Sequence, residues 1–504
     1  MTKSKAQKQL LFMILLLLVL NISYAGWEKT YDSGHHEHGS SLDLTIDCGY
    51  IIAGHITNLF TGHTDFYVVR TDSLGDTIWT AKYGRDEWSD IAYSIEATDD
   101  SGFIITGYTS QISESTNVSV VKLDADGDTM WTHIYDGGVG EGDAGYCIQQ
   151  TSDGEYILVG NTCSFGSGTQ VWLLRLNSVG DTIWTHTYGG SATDDGFFVS
   201  TTRDGGYIIV GRTNSYGDDF DFYLIKTDEY GNTMWTKTYG IWGSEIGWCV
   251  RQTSDGGYII AGDCGKVCLI KTNELGDTMW TRLYGFPVYQ TGRAVEQTRD
   301  GGYIIIGTTE FYGVTNGQIW LIKTNEYGDT VWTRMYGGMW YDYGRDVTQT
   351  SDGGYIIAGA TQSFGAGDWD VYLIKTDSLG NVDWVREVPT RPRQIGLSVH
   401  PNPFNEACEI KVASYESQVM SVEIYDLRGN LVWQAPPLSS NSFLPEEKGE
   451  PMDAQPQSLS PWGERFRERG SVTWRPAPSI PSGVYLVKAR AGEQETTKKV
   501  VMIR

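Results

Sequence analysis

Asp255-Gly256-Gly257-Tyr258-Ile259-Ile260-Ala261-Gly262 is one of seven copies of a single phrase, and its spacing decides the fold. The other copies start at Asp47, Asp100, Asp153, Asp204, Asp300 and Asp352. A second phrase, in its fullest form Trp-Thr-x-x-Tyr-Gly, runs in register with it from Trp27, Trp79, Trp131, Trp184, Trp235, Trp280 and Trp332. The Trp-to-Trp steps are 52, 52, 53, 51, 45 and 52 residues. A period near 50 marks an array of supersecondary units, none of which buries its apolar faces alone.

Each unit reads as four short strands. In the fifth unit these are Trp248–Thr253, Tyr258–Gly262, Val267–Thr272 and Thr278–Tyr284. They are β-branched and aromatic, and Gly, Asp, Asn and Ser bound them. Strands two and three are apolar on both alternating faces, so sheets must cover them from both sides. Radially stacked four-stranded sheets make a β-propeller. The Tyr-Ile-Ile strand occurs seven times, which predicts seven blades over residues 26–386. An eighth Trp, Trp384, lacks the Tyr four residues on, where Val388 stands. Trp27 has its Tyr31, so Trp27–Tyr31 is expected to be the outer strand of the last blade, paired with Val371–Thr376. Eight blades or an open solenoid are the competing arrangements. Asp and Asn interchange at the turn between strands three and four (Asp72, Asp124, Asn177, Asp228, Asn273, Asn325, Asp377). The residue there is therefore read as a turn cap followed by a Gly at positive φ. Asp124-Ala125-Asp126-Gly127-Asp128 begins like a calcium loop but sits on this same turn and lacks the later ligands.

Residues 1–25 have the layout of a signal peptide: Lys3, Lys5 and Lys8, the apolar run Leu10–Leu20, and Ser23-Tyr24-Ala25. No membrane span is expected in the mature chain. A linker, 387–396, leads to a tail. Leu397-Ser398-Val399-His400-Pro401-Asn402-Pro403-Phe404, Val422–Gly429, Ser482–Val487 and Thr497–Arg504 stand in this order at the C-terminus. Together, over 397–504, they resemble the type A C-terminal sorting domain of bacterial type IX secretion. The resemblance implies a small Ig-like β-sandwich, the outer-membrane export machinery as a partner, and a secreted or surface location. Residues 435–470, rich in Pro, Ser, Glu and Arg, depart from that pattern as a disordered insertion.

The formal charge is −25. Residues 387–504 are balanced at 14 basic and 14 acidic residues, so the excess lies on the repeats. Nucleic acid and anionic membranes are poor partners for such a surface. Of seven cysteines none forms a CxxC pair. Cys264 and Cys268 flank a short turn and could close a disulfide, whereas Cys147 and Cys249, at equivalent strand positions, read as small buried residues.

Catalytic signatures are missing. There is no Gly-x-Ser-x-Gly elbow and no Ser/His/Asp set. His35-His36-Glu37-His38 reads as a solvated loop cluster, and neither metal nor cofactor is expected. Thr71-Asp72-Ser73-Leu74-Gly75-Asp76-Thr77-Ile78-Trp79 resembles the tryptophan-docking motif of quinoprotein dehydrogenases and the Asp-box turn of sialidase-type propellers, and the Gly/Tyr/Trp layout resembles kelch repeats. In those families these are blade elements, so the resemblance implies the propeller and no activity.

Binding is expected where the repeat breaks, on the loops after strand four. Trp88, Trp242, Trp340, Tyr341, Tyr343 and Asp342 are the candidates, aromatic faces beside a carboxylate that suit a glycan or a peptide. The reading is an exported, non-enzymatic binding propeller. The alternative is an extracellular hydrolase, lyase or oxidoreductase with its site in the central channel, which three or more titratable side chains converging on the axis would favour. The paired phrases Phe165-Gly166, Tyr216-Gly217, Tyr312-Gly313 and Phe364-Gly365 are periodic and read as structural.

Overall fold

A computed structural model describes residues 26–382, apart from 60, 86–87, 112–114, 139–141, 166–167, 242, 286–289, 312–313 and 366–367. In the tail it describes 396–400, 408–413, 420–426, 428, 431–434, 471–477, 480–491 and 494–502. The leader, Trp384, the linker up to 395 and the insertion at 435–470 lie outside the described residues. The chain divides into two compact units, residues 1–387 and 388–504. No helix long and apolar enough to cross a membrane occurs among the described residues.

The first unit is a seven-bladed β-propeller. Seven four-stranded antiparallel sheets follow one another along the chain, each strand paired with its neighbour in sequence. Only the seventh departs from this. Its inner three strands are Asp342–Gln349, Tyr355–Thr361 and Asp370–Thr376, and its outer strand is Trp27–Tyr31, with Trp27 opposite Lys375 and Tyr31 opposite Val371. The ring is thus closed by its own N-terminus. In blade 5 the inner strand starts two residues earlier than expected, at Ile246, and the outer strand is Thr278–Tyr284. Tyr258–Asp263 and Val267–Thr272 are buried at every residue, because neighbouring blades cover both faces of the sheet.

The two repeated phrases recur because they read each other across the seams. The Trp of each outer strand packs its ring at a steep angle against the aromatic ring that opens strand two of the next blade. Ring centroids lie 5.9 Å apart for Trp27–Tyr50 and 6.0 Å for Trp79–Phe103. The same Trp covers the turn Gly of the next blade. A Cβ on Gly75 would come within 2.4 Å of the Trp27 ring, and its φ of +75° already favours glycine. The outer-strand Tyr then donates its hydroxyl to that Gly carbonyl, as in Tyr83 to Gly127 and Tyr284 to Gly328, both at 2.6 Å. The turn itself is capped as expected, with the Asp72 carboxylate accepting from the Leu74 and Asp76 amides at 2.9 and 2.8 Å. Asp124 accepts from Asp126 and Asp128 in the same way, which makes the calcium-like segment an ordinary copy of this turn.

Every Asp of the Asp-Gly-Gly-Tyr phrase pairs with a cation from strand three of its own blade. Lys122, Lys226, Lys271 and Lys323 are almost fully buried and reach Asp100, Asp204, Asp255 and Asp300 at 2.9 Å. Each Nζ also donates to a backbone carbonyl, for example Lys271 to Thr272 at 2.8 Å. A buried ammonium is tolerated only with such satisfaction. Cys147 and Cys249 are buried and lean on the next blade through the Val199 and Val295 carbonyls. Cys264 and Cys268 lie side by side as buried free thiols. The loop aromatics Phe165, Tyr216 and Phe364 rest on strand-three rings, those of Trp172, Tyr223 and Tyr372.

The tail unit has two antiparallel sheets. One holds Gly396–His400, Cys408–Ala413 and Ser471–Trp474; the other holds Leu431–Gln434, Met420–Asp426, Gly483–Ala491 and Gln494–Met502. Val422, Ile424, Trp474, Tyr485, Val487 and Val500 are buried within it.

Candidate functional site

Each inner strand carries a β-bulge immediately after a Gly, or Ala92 in blade 2. The pairing register jumps from Gly39 to Ser41, from Ala92 to Ser94, and likewise in the other five blades. The skipped residues are Ser40, Tyr93, Tyr146, Phe197, Trp248, Arg293 and Arg345. A bulge frees one side chain from the alternation and re-aims it. Here it places one side chain per blade in a collar. Successive rings touch: Tyr93–Tyr146 at 5.0 Å, Tyr146–Phe197 at 5.1 Å and Phe197–Trp248 at 4.6 Å. The Arg293 guanidinium continues the arc 3.9 Å over the Trp248 ring. The collar lies near the start of the inner strands, the end that also bears the loops after strands two and four.

A second aromatic run joins it. Tyr341 stacks on Tyr343, Tyr343 on Trp369 (5.1 Å), Trp369 on His38 (4.9 Å) and His38 on His55 (4.7 Å). Arg345 lies against Tyr343, its charge centre 5.9 Å from the ring. Loss of water pulls the Arg345 guanidinium below its ordinary value, with Tyr343 and Tyr93 opposing. Among the described residues Arg345 forms no ion pair with a carboxylate. Burial first, then Arg345, hold His55 down to about 4, and burial, His55 and Arg345 keep His38 well below its usual range. Both imidazoles are therefore neutral at physiological pH, and His55 Nδ1 is buried without a hydrogen-bond partner. The expectation of a solvated His loop is corrected here: the inner strand of blade 1 starts at His36, and its pleat carries His38 into an aromatic stack.

Toward the other end, carboxylates seal the inner strands. Asp43 accepts from the Ala97 amide at 2.9 Å, Glu96 from Gln150, and Glu296 from Gln349 at 2.7 Å. Burial raises all three, Glu96 to about 8. Arg251 extends among them, 4.6 Å over the Phe198 ring. Desolvation opposes its charge, and Cys249, Asp346, Cys147 and Glu296 outweigh that.

The residues expected to bind are dispersed. Trp340 is 55% exposed. Tyr341 and Tyr343 belong to the aromatic run. Trp88 opens the inner strand of blade 2, 5.0 Å under the Arg85 guanidinium. Trp242 lies outside the described residues. Asp342 is fully buried and accepts from the Gly338 amide and the Thr361 and Ser363 hydroxyls. Glu37, Asp90, Asp143, Asp194 and Glu245 hold the equivalent position and anchor the loop before the inner strand in the same way. This carboxylate is periodic and structural. The collar, His55 and Trp369 were not among the expected residues. Aligning the inner strands would have exposed them, since the residue after the Gly is the one that changes type from blade to blade.

No family model matches the chain, and no curated protein matches it. Solved structures do. The Pan2 WD40 domain of Neurospora crassa is 11% identical with a TM-score of 0.45, over 70% of this chain and 96% of that one. A puromycin hydrolase is 13% identical with a TM-score of 0.46, over 75% and 59%. A fungal alcohol oxidase of the AA5 family, in complex with copper, is 12% identical with a TM-score of 0.44, over 96% and 100%. At these values none of them bears on what this chain does.

Proposed function

We propose that this chain is an exported binding protein whose propeller takes an acidic carbohydrate at the collared end of its channel. The observation that carries the reading is Arg345, a desolvated guanidinium with no carboxylate ion pair among the described residues, set beside a crescent of aromatic rings. A dehydrated cation without a counter-charge is costly, and a ligand carboxylate would supply one. Tyr93, Tyr146, Phe197 and Trp248 offer ring faces for the apolar side of a sugar, and Arg293 a further donor. The tail serves as the signal read by a type IX export machinery, on the motif resemblance above.

One observation favours a second reading, an enzyme of the lyase class. Two histidines, two tyrosines and an arginine converge at this site, and His55 presents an unpartnered nitrogen in neutral form. Such a base, next to a guanidinium that holds a carboxylate, suits removal of the proton on the adjacent carbon. The full chain, screened on acidic and neutral oligosaccharides for binding and for unsaturated products, tests both. Binding of acidic glycans that Arg345→Gln abolishes supports the site, and product formation moves the reading to the enzyme. Binding only of neutral glycans, or none, overturns it. Deleting 397–504 is expected to leave the protein in the periplasm; normal delivery to the surface would reject the sorting role.

A further inference from the structure

The seam that closes the ring differs in charge from the other six. At every seam three positions recur: the residue six before the last Thr or Leu of strand three, the residue after the outer-strand Tyr, and the loop-anchoring residue of the next inner strand. Five seams have a glycine at the second position, and the seam between blades 2 and 3 has Asn117 at the first. Only the closing seam has carboxylates at all three, Asp370, Asp32 and Glu37. One oxygen from each lies within 4.8 Å of the others. Glu37 and Asp370 are fully buried, and Asp32 forms the exposed rim.

Glu37 supplies the observation that points to a ligand. Its Oε1 accepts from the Ser33 amide and hydroxyl and the His35 amide. Its Oε2 is sealed from solvent and has no hydrogen-bond partner. That unsatisfied oxygen sits on a buried member of the carboxylate trio, and carboxylates held this close repel one another, which a bound cation would relieve.

We propose that Asp32, Glu37 and Asp370 form a binding site for a hard divalent cation, calcium foremost, which ties the N-terminal strand into the ring. The donor set is all oxygen, with neither thiolate nor imidazole in it, and this selects calcium over zinc or copper. The position gives the site its purpose. Asp32 directly follows the closing strand, Asp370 opens the strand that pairs with it, and Glu37 lies in blade 1. One ion therefore links the chain's start, its last blade and its first blade, at the seam where no covalent connection runs between the outer and inner strands of one sheet.

The test uses the full chain, stripped with chelator and titrated with calcium chloride alone. The melting temperature is expected to rise with the logarithm of calcium concentration. Terbium should give tryptophan-sensitised emission that calcium displaces, with Trp369 next to the site as the donor. Glu37→Gln should lose both responses and still fold, because Gln290 already occupies this position at the seam between blades 5 and 6. Asp32→Asn, on the exposed rim, is the second variant and should weaken both. No calcium response in the wild-type chain overturns the proposal, as does a response that survives in both variants.

Discussion

The hydroxyl of Tyr31 donates to the carbonyl of Gly75, 2.8 Å away and 44 residues along the chain. It is the same bond that Tyr188 makes to Gly231 at 2.6 Å, but it joins the last blade to the first. Around Tyr31 and Trp27, Leu42, Tyr50, Ile52, Val371 and Leu373 form one apolar cluster at the closing seam. The closing strand is held there by noncovalent contacts alone.

Tyr31→Phe should therefore cost about 1 kcal/mol, the net worth of one buried hydrogen bond. Tyr188→Phe removes an equivalent bond but leaves a strand continuous with the rest of its blade. Hydrogen exchange separates the two: the amides of Trp27–Tyr31 should lose protection in Tyr31→Phe, while Thr182–Tyr188 should hold in Tyr188→Phe. A chain starting at Ser40 should lose several kcal/mol, because two large aromatics leave a packed interface. An unchanged melting temperature would reject the closing role.

Acid should weaken the blades through the repeated aspartates. Desolvation works to raise Asp255, but the Thr253 hydroxyl, Lys271 and the Gly257 amide outweigh it and hold the carboxyl below its ordinary value. Asp100, Asp204 and Asp300 are held down in the same way. A carboxylate depressed in the folded state contributes stability above its unfolded pKa, near 4, and loses it as pH falls through the folded value. Urea titrations should show a steep loss below about pH 4. Lys271→Met should make that loss shallower by one group; an identical acid profile would mean the pair is not linked to folding.

Glu96 has the opposite sign. Burial raises its folded pKa to about 8, so the protonated form is the one the fold favours. Its contribution is full below the unfolded value near 4.3 and is lost as pH rises through about 8. Gln149 occupies the same place in the next blade and makes the same bond, to the Thr201 amide, with no charge at all. Glu96→Gln should therefore fold well and become more stable than the wild type at pH 8 while matching it at low pH. A variant less stable at both ends would show that the charge is needed.

The fold was legible because its determinants are periodic. Trp27, Tyr31 and Gly75 recur at every seam and Tyr50 recurs as Tyr or Phe, and one contact set repeated seven times leaves a strong trace. The site was less legible because repetition conceals it. Asp342 stood out as a carboxylate among loop aromatics, yet it is the blade 7 copy of a structural anchor. Trp248 and Arg345 lie inside strands that read as scaffold, and only a bulge, invisible in hydrophobic alternation, turns them out of the pleat. His38 was misread for the same reason, since its partner His55 lies 17 residues away on the neighbouring strand.

The Asp-Gly-Gly-Tyr turn offers the sharpest test of backbone energetics. Its second residue has positive φ in all seven copies: Gly154, Gly205, Gly256, Gly301 and Gly353 lie between +81° and +89°, but Cys48 is at +65° and Ser101 at +67°. A side chain in the left-handed region costs about 1–2 kcal/mol. Replacing it with glycine returns about 0.4–1 kcal/mol to the unfolded chain as entropy. The strain is the larger quantity, so Ser101→Gly should stabilise the protein by about 0.5–1 kcal/mol. Gly256→Ser runs the comparison backwards. A Cβ there meets no atom within 4 Å, so its cost is backbone conformation alone. Denaturant titrations of the two variants should give shifts of similar size and opposite sign. Destabilisation by Ser101→Gly would mean that the serine side chain makes a contact in the turn worth more than the strain it imposes.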